Sequence, residues 1–330
     1  MRIVALAGGI GAARFLRGLK VAAPTAEITV IGNTADDITL LGLRVSPDLD
    51  TLMYTLGGGI DDTQGWGRDR ESWHVKEELA AYDYGPSWYG LGDRDLATHL
   101  VRTSLLDAGY SLTEVTAALC HRWQPGARLL PMSDDRIETH IVIEDTQGRR
   151  AVHFQEYWVR LRAETAARDV VVVGVEDAHP APGVLDAIGQ ADVVLLPPSN
   201  PVVSIGTILA VPGIRAAITA VDAPVVGVSP IIGGAPVRGM ADKLLPTISV
   251  ETSAVGVGRH YGGRGGHDEQ GAHDEQDRGG LLDGWLVDTV DADATVPGAI
   301  VQAGPLLMTD VPAAASIARQ ALSLASAVRR

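Results

Sequence analysis

Cysteine is nearly absent from this 330-residue chain, where Cys120 stands alone. A single thiol excludes an internal disulfide framework and a cysteine metal cage, and it fits a reducing compartment. Cys120 follows Leu112-Thr113-Glu114-Val115-Thr116-Ala117-Ala118-Leu119, a helical pattern, so it reads as a packing residue rather than a catalytic thiol. Basic residues are also scarce: 27 Lys and Arg face 41 Asp and Glu, for a formal net charge of -14. Nucleic acid needs basic surface to neutralise its phosphates, so that class of partner is excluded. An anionic ligand must be met by backbone amides, a few cations or a metal. No apolar run approaches the roughly 18 to 20 residues that cross a bilayer, and the N-terminus lacks the charged, hydrophobic and small-residue order of a signal peptide. These absences predict a cytoplasmic protein with no membrane partner.

What is present is apolar residue in quantity, 46% of the chain with a mean hydropathy of +0.12, enough to bury a large core. Short β-branched runs at residues 3–7, 28–31, 170–173, 193–196 and 225–228 alternate with helical patterns. Nearly continuous apolar strands are buried on both faces. The alternation therefore predicts an α/β, Rossmann-like, doubly wound and mostly parallel sheet, in a single domain spanning 1–330. Residues 60–125 read as a helical insertion capping the sheet, with helices over 93–108 and 112–121. Residues 137–160 alternate polar and apolar around Thr146-Gln147-Gly148, a β-hairpin signal. Between 262 and 280 the sequence His-Asp-Glu-Gln occurs twice among glycines, which predicts a mobile acidic loop, with a metal tract as the alternative. Residues 313–328 have the pattern of an amphipathic helix.

The first strand runs into Gly8-Gly9-Ile10-Gly11. A glycine-rich strand-to-helix turn lets backbone amides and the helix dipole face an anion. A dinucleotide reading is weakened by Arg14 in place of a third glycine, and by Gly32-Asn33-Thr34 where an acidic residue would hold a ribose. No Walker A ending follows either. Four aspartates come next, Asp36, Asp37, Asp48 and Asp50, and hard carboxylate oxygens suit Mg²⁺ beside substrate phosphates. A lone loop aspartate is more often a turn or cap residue, whereas the cluster of four reads as functional. Without a cation, a carboxylate about 4 Å from a phosphate oxygen is repelled by roughly 4 kcal/mol at an effective dielectric of about 20. A cation therefore accompanies an anionic substrate. Pro198-Ser199-Asn200-Pro201 with Ser204-Ile205-Gly206, and Ser229-Pro230-Ile231-Ile232-Gly233-Gly234, follow two other strands. Three such loops at strand ends predict one crevice, with Lys243 read either as a phosphate counter-charge facing it or as a solvated surface lysine.

On these residues the chain resembles the 2-phospho-L-lactate transferases, with their actinobacterial phosphoenolpyruvate transferase members, of coenzyme F420 biosynthesis. The motifs are Ser46-Pro47-Asp48-Leu49-Asp50-Thr51, Leu91-Gly92-Asp93-Arg94-Asp95-Leu96-Ala97-Thr98-His99, Leu130-Pro131-Met132-Ser133-Asp134, Phe154-Gln155-Glu156-Tyr157 and the two serine loops. The resemblance implies transfer of a phosphoenolpyruvyl or phospholactyl group from enolpyruvyl- or lactyl-diphosphoguanosine to the terminal ribityl hydroxyl of the deazaflavin Fo. GMP would leave, Mg²⁺ would assist and the enzyme would be a homodimer. It further implies Asp36, Asp37 and Asp50 as catalytic, and Asp36, Asp48 and Asp50 as metal ligands. Gly8, Gly9, Gly11, Asn33, Thr34, Ser199, Asn200, Ser204, Gly233 and Lys243 would meet the nucleotide and its phosphates. Asp50, Trp88, Gly90 and Asp93 would meet the acceptor, with Trp66 over its ring. Some members carry a basic residue where this chain has Gly90. His99 sits in a helical pattern and reads as structural. The alternative class is a regulatory nucleotide-sugar-binding protein like the gluconeogenesis-factor family, against which Ser46 to Thr51 and Leu91 to His99 favour the enzyme.

Overall fold

The computed structural model describes residues 1–146, 148–265 and 279–328, so the His-Asp-Glu-Gln repeat expected as an acidic loop lies outside the described residues. From the N-terminus, β1 (Arg2–Ala7) leads into α1 (Gly9–Ala22) and β2 (Glu27–Gly32). A small hairpin, β3 (Ile38–Leu40) and β4 (Leu43–Val45), delivers the chain to α2 (Pro47–Leu56). Pro47 opens that helix, where a missing N–H costs nothing and the fixed φ is already helical. Three helices follow, α3 (His74–Ala81), α4 (Asp93–Asp107) and α5 (Leu112–Trp123), the last begun by a capping box between Ser111 and Glu114.

The second half begins with β5 (Arg128–Pro131), the hairpin β6 (Glu138–Asp145) and β7 (Gly148–His153), and β8 (Ala167–Val173). After α6 (Val184–Gly189) come β9 (Val193–Leu196), α7 (Ile205–Ala210), α8 (Ile214–Ala220) and β10 (Val225–Val228). A short ribbon of β11 (Ile231–Ile232) and β12 (Ala235–Pro236) precedes α9 (Ala241–Leu244) and α10 (Ala254–Tyr261). The chain ends with β13 (Gly284–Val287), β14 (Ile300–Ala303) and α11 (Val311–Ala327). Asp310 caps α11 by accepting from the Ala313 N–H at 2.7 Å.

Seven strands form one sheet in the order β14-β13-β10-β9-β1-β2-β5, every neighbouring pair parallel. One face is covered by α1, α2, α5 and α11 through Phe15, Leu16, Leu52, Val115, Leu119, Ile317 and Leu324. The other is covered by α6, α7, α8 and α10 through Val184, Ile188, Ile205, Ile208, Ile214 and Val257. This is the expected doubly wound α/β architecture. Strand order reverses between β1 and β9, and such a switch point opens a crevice at the strands' carboxyl ends. Among the described residues no helix is long and apolar enough to cross a membrane.

One expectation is corrected. Residues 170–173 do not join the parallel sheet: β8 pairs antiparallel with β6 in a separate sheet of order β7-β6-β8. Val171 and Val173 are 41% and 51% exposed, so the valine run has one wet face despite its composition. Within the expected insertion, α5 buries Val115 and Leu119 against the main sheet. With α2 it lies on the connection from β2 to β5 and covers one face of that sheet.

Candidate functional site

A cleft of about 470 Å³ opens at the carboxyl ends of β1 and β9, at the switch point. It is lined by Gly8, Gly9, Gly11, Asp36, Asp48, Asp50, Ser199, Asn200 and Ser204, so the glycine turn, the serine loop and three of the four aspartates share one space as expected. Close packing dictates the glycines. A Cβ on Gly8 would lie 2.6 Å from Asp48 Oδ2 and 2.7 Å from Ser204 Oγ, and one on Gly11 would lie 2.2 Å from the Pro198 carbonyl oxygen. The two loops are also stapled, because the Ser199 hydroxyl donates to the Gly8 carbonyl at 2.9 Å and accepts from the Gly8 N–H at 3.3 Å. Ser199 therefore positions the turn. Asn200 spends its Oδ1 on the N–H groups of Val202 and Val203, at 2.9 and 3.2 Å.

Asp36 and Asp48 form a like-charged pair beside that turn. Asn33 holds Asp48 by donating from Nδ2 to Oδ2 at 2.9 Å, while its own Oδ1 accepts from the Ala35 N–H and the Thr207 hydroxyl. Burial pushes the Asp48 carboxyl up to about 6. Burial, then the charges of Asp48 and Asp37, push Asp36 well above the carboxylate range, and Asp36 Oδ1 is buried without a partner. Among the described residues no three ligand side chains converge as a ready-made metal cage. Mg²⁺ needs only one or two carboxylates when phosphates and waters complete its shell. A buried carboxylate pair with an orphaned oxygen fits that donor set.

Asp50 belongs to a different cluster. It stands in α2 and faces α4, where the Arg102 guanidinium donates to its Oδ1 in a buried ion pair. His99 Nδ1 lies 3.7 Å from Asp50 Oδ2 and 3.1 Å from Arg102 Nη1, and His99 Nε2 lies 3.2 Å from Asp95 Oδ2. The Tyr54 hydroxyl closes the chain by donating to Asp95 Oδ1 at 2.6 Å. Burial pushes the Asp50 carboxyl up, against the pull of Arg102 and His99. Burial would do the same to Asp95, but its bonds to His99 and Tyr54 prevail and hold it low. Asp50 Oδ2 remains buried with no hydrogen-bond partner. Arg102 already balances Asp50, so Asp36 and Asp48 suit a cation better than the Asp50 expected to join them.

Other expected site residues lie elsewhere. Asp37 faces a second, small pocket with Thr34 and accepts from the Ser46 hydroxyl at 2.6 Å; burial pushes it up to about 8. Asp93 anchors the start of α3, accepting from the Ser72 hydroxyl and the N–H groups of His74 and Val75. Its carboxylate is spent there, and Asp93 does not line the cleft. Trp88 does not line the cleft but packs edge-on against Tyr89, which does, as do Gly90 and Trp66. Lys243 is exposed and sits 3.6 Å from Asp242, and the Gly233 N–H donates to Asp291; neither lines the cleft. Cys120 also lies outside it, and burial raises its thiol to about 11.

A family model described as 2-phospho-L-lactate transferase CofD matches residues 3–302. The chain belongs to this family. The transferase is 65% identical over 333 aligned positions to a phosphoenolpyruvate transferase of Streptomyces griseus subsp. griseus, covering 100% of both chains. It is 64% identical to the phosphoenolpyruvate transferase of Streptomyces coelicolor, over 100% of this chain and 99% of that one. Among solved structures, protein BH3568 from Bacillus halodurans, a member of the upf0052 family, matches with a TM-score of 0.60 at 20% identity, over 97% of the transferase and 99% of that chain. That likeness shows the fold alone.

Sequence reasoning passed over several residues lining the transferase cleft: Asp95, Tyr54, Tyr89, Trp158, Arg14 and Arg238. One signal was available. Asp95 and His99 are four apart in a helical pattern and so share a face.

Proposed function

We propose that this transferase moves a phosphoenolpyruvyl, or phospholactyl, group from a guanosine diphosphate conjugate to the terminal ribityl hydroxyl of the deazaflavin Fo in coenzyme F420 biosynthesis, releasing GMP. The reading is carried by one observation: a carboxylate pair at a glycine turn and a separately neutralised carboxylate, Asp50, face one strand-end cleft. The relatives' name, phosphoenolpyruvate transferase, supports the three-carbon group. The acceptor oxygen attacks the phosphorus bearing the three-carbon acid, the bond from that phosphorus to the GMP oxygen breaks in line, and GMP leaves with the electron pair. The hydroxyl proton passes to Asp50. Such a reaction asks the protein mainly to position reactants and to balance charge. Gly8, Gly9 and Gly11 accommodate the phosphates at the start of α1, and Mg²⁺ held by Asp36 and Asp48 would neutralise their oxygens. Trp66, Tyr89 and Trp158 supply flat apolar surface for the deazaflavin ring.

The test is product analysis by mass spectrometry with Fo and each donor in turn. The expected result is one Fo adduct per GMP released, abolished by chelator and restored by Mg²⁺. No adduct with either donor would overturn the proposal, and GMP without adduct would mean hydrolysis instead.

A further inference from the structure

Four carboxylates line the cleft, yet so do two arginines, Arg14 from α1 and Arg238 from the loop after β12. Among the described residues no carboxylate pairs with either, whereas Arg17, Arg102 and Arg264 each have one within 4.0 Å. Arg238 is nonetheless held in place. Its Nη2 donates to the Gln64 carbonyl, and Gln64 is itself fixed by Asp61, which accepts from the Gln64 N–H and Nε2, both at 3.0 Å. An added Cβ on Gly65 would come within 3.0 Å of Arg238 Nη1 and 3.1 Å of Ile10 Cγ2, so this loop, Arg238 and the first turn of α1 pack together. Burial lowers the Arg238 pKa and the nearby Arg14 charge lowers it further. Two guanidiniums brought together at a cleft without a counter-ion repel each other unless an anion is shared between them.

We propose that Arg14 and Arg238 form a clamp for the carboxylate of the three-carbon acid carried by the donor. The proposal rests on the donor reading given above. The glycine turn and the Asp36–Asp48 pair answer for the phosphates, which leaves the carboxylate as the anion still in need of a cation. A guanidinium presents two parallel N–H donors that match a planar carboxylate, and Arg14 offers that fork from α1 while Arg238 offers it from the loop after β12. The clamp is a specificity device, because a donor lacking the carboxylate leaves two charges unpaired.

Binding separates the possibilities. Titration calorimetry compares GDP, lactyl-diphosphoguanosine, and the isopropyl ester of GDP, which lacks the carboxylate, on the parent and on Arg14→Gln, Arg238→Gln and the double variant. Each single variant should weaken the lactyl conjugate about tenfold or more, the scale of a charge-assisted hydrogen bond, and leave GDP and the isopropyl ester within about twofold. Arg14→Lys, which keeps the charge without the fork, should fall between. Equal losses for GDP and the lactyl conjugate would move the arginines to the phosphates and overturn the clamp, as would no loss for either. A parent that bound the lactyl conjugate and turned it over, with variants unchanged, would sink the clamp alone. A parent that bound neither guanosine compound would take the donor reading with it.

Discussion

Asp50 looks from sequence like a helix-start aspartate, and its role is decided by what faces it. A capping aspartate tolerates asparagine at well under about 1 kcal/mol. Asp50 is instead ion-paired with a fully buried Arg102, and removing one partner of a buried pair strands the other at a cost of about 3 to 5 kcal/mol. Asp50→Asn should therefore lower both stability and turnover. Asp50→Asn combined with Arg102→Met removes the stranded charge, so its urea midpoint should return most of the way to the parent's. GMP release with Fo should stay about 10² or more below the parent, the scale of a lost positioned base. A double variant that regained turnover together with stability would make Asp50 purely structural. This network was only partly legible beforehand. The motif Leu91 to His99 covers the start of α4, but sequence spacing does not reveal that Asp93 is consumed by the backbone of α3 while Asp95 lines the cleft.

At the scale of elements, local period was legible and partner choice was not. The strand-to-helix turns after β1 and β9 announced themselves because glycine and serine clusters end apolar runs, and α4, α5 and α11 lie within a few residues of their expected spans. β8 was misplaced because four consecutive valines look buried on both faces, while pairing with β6 is a long-range outcome. Helix packing hid a similar constraint. Gly18, inside α1, is where α11 crosses: an added Cβ would sit 2.3 Å from the Ala314 carbonyl carbon and 2.5 Å from the Ala315 nitrogen. Glycine to alanine inside a helix ordinarily stabilises by about 0.5 to 1 kcal/mol. Here a methyl forced against backbone costs about 1 to 3 kcal/mol, so overpacking wins. Gly18→Ala should lose stability in urea melts, whereas Gly189→Ala, whose Cβ would meet nothing within 4 Å, should be neutral or slightly stabilised. Equal effects at the two positions would show that α1 and α11 do not pack as described.

For the whole molecule, the -14 charge and the buried aspartates predict an unusual response to pH. Asp48, raised by burial to about 6, and Asp37, raised to about 8, bind protons in the folded state at pH values where an unfolded chain, with aspartates near about 4, holds almost none. Stability from those protons is complete below the unfolded value and is lost as pH rises through about 6 and then about 8. Metal-free protein should thus melt at a higher temperature at pH 6 than at pH 8, by a few degrees for about 1 kcal/mol. Carboxylates held low, such as Asp95 and Glu138, act in the opposite sense, but only below the ordinary carboxylate range and so outside this window. If Asp36 and Asp48 hold Mg²⁺, the ion competes with the same protons. Its stabilisation should then be larger at pH 8 than at pH 6, flattening the profile. Thermal melts across pH 6 to 8, in chelator and in excess Mg²⁺, read both effects. A metal-free melting temperature that fell on acidification would contradict the buried-carboxylate account, and a Mg²⁺ effect independent of pH would place the ion somewhere other than Asp36 and Asp48.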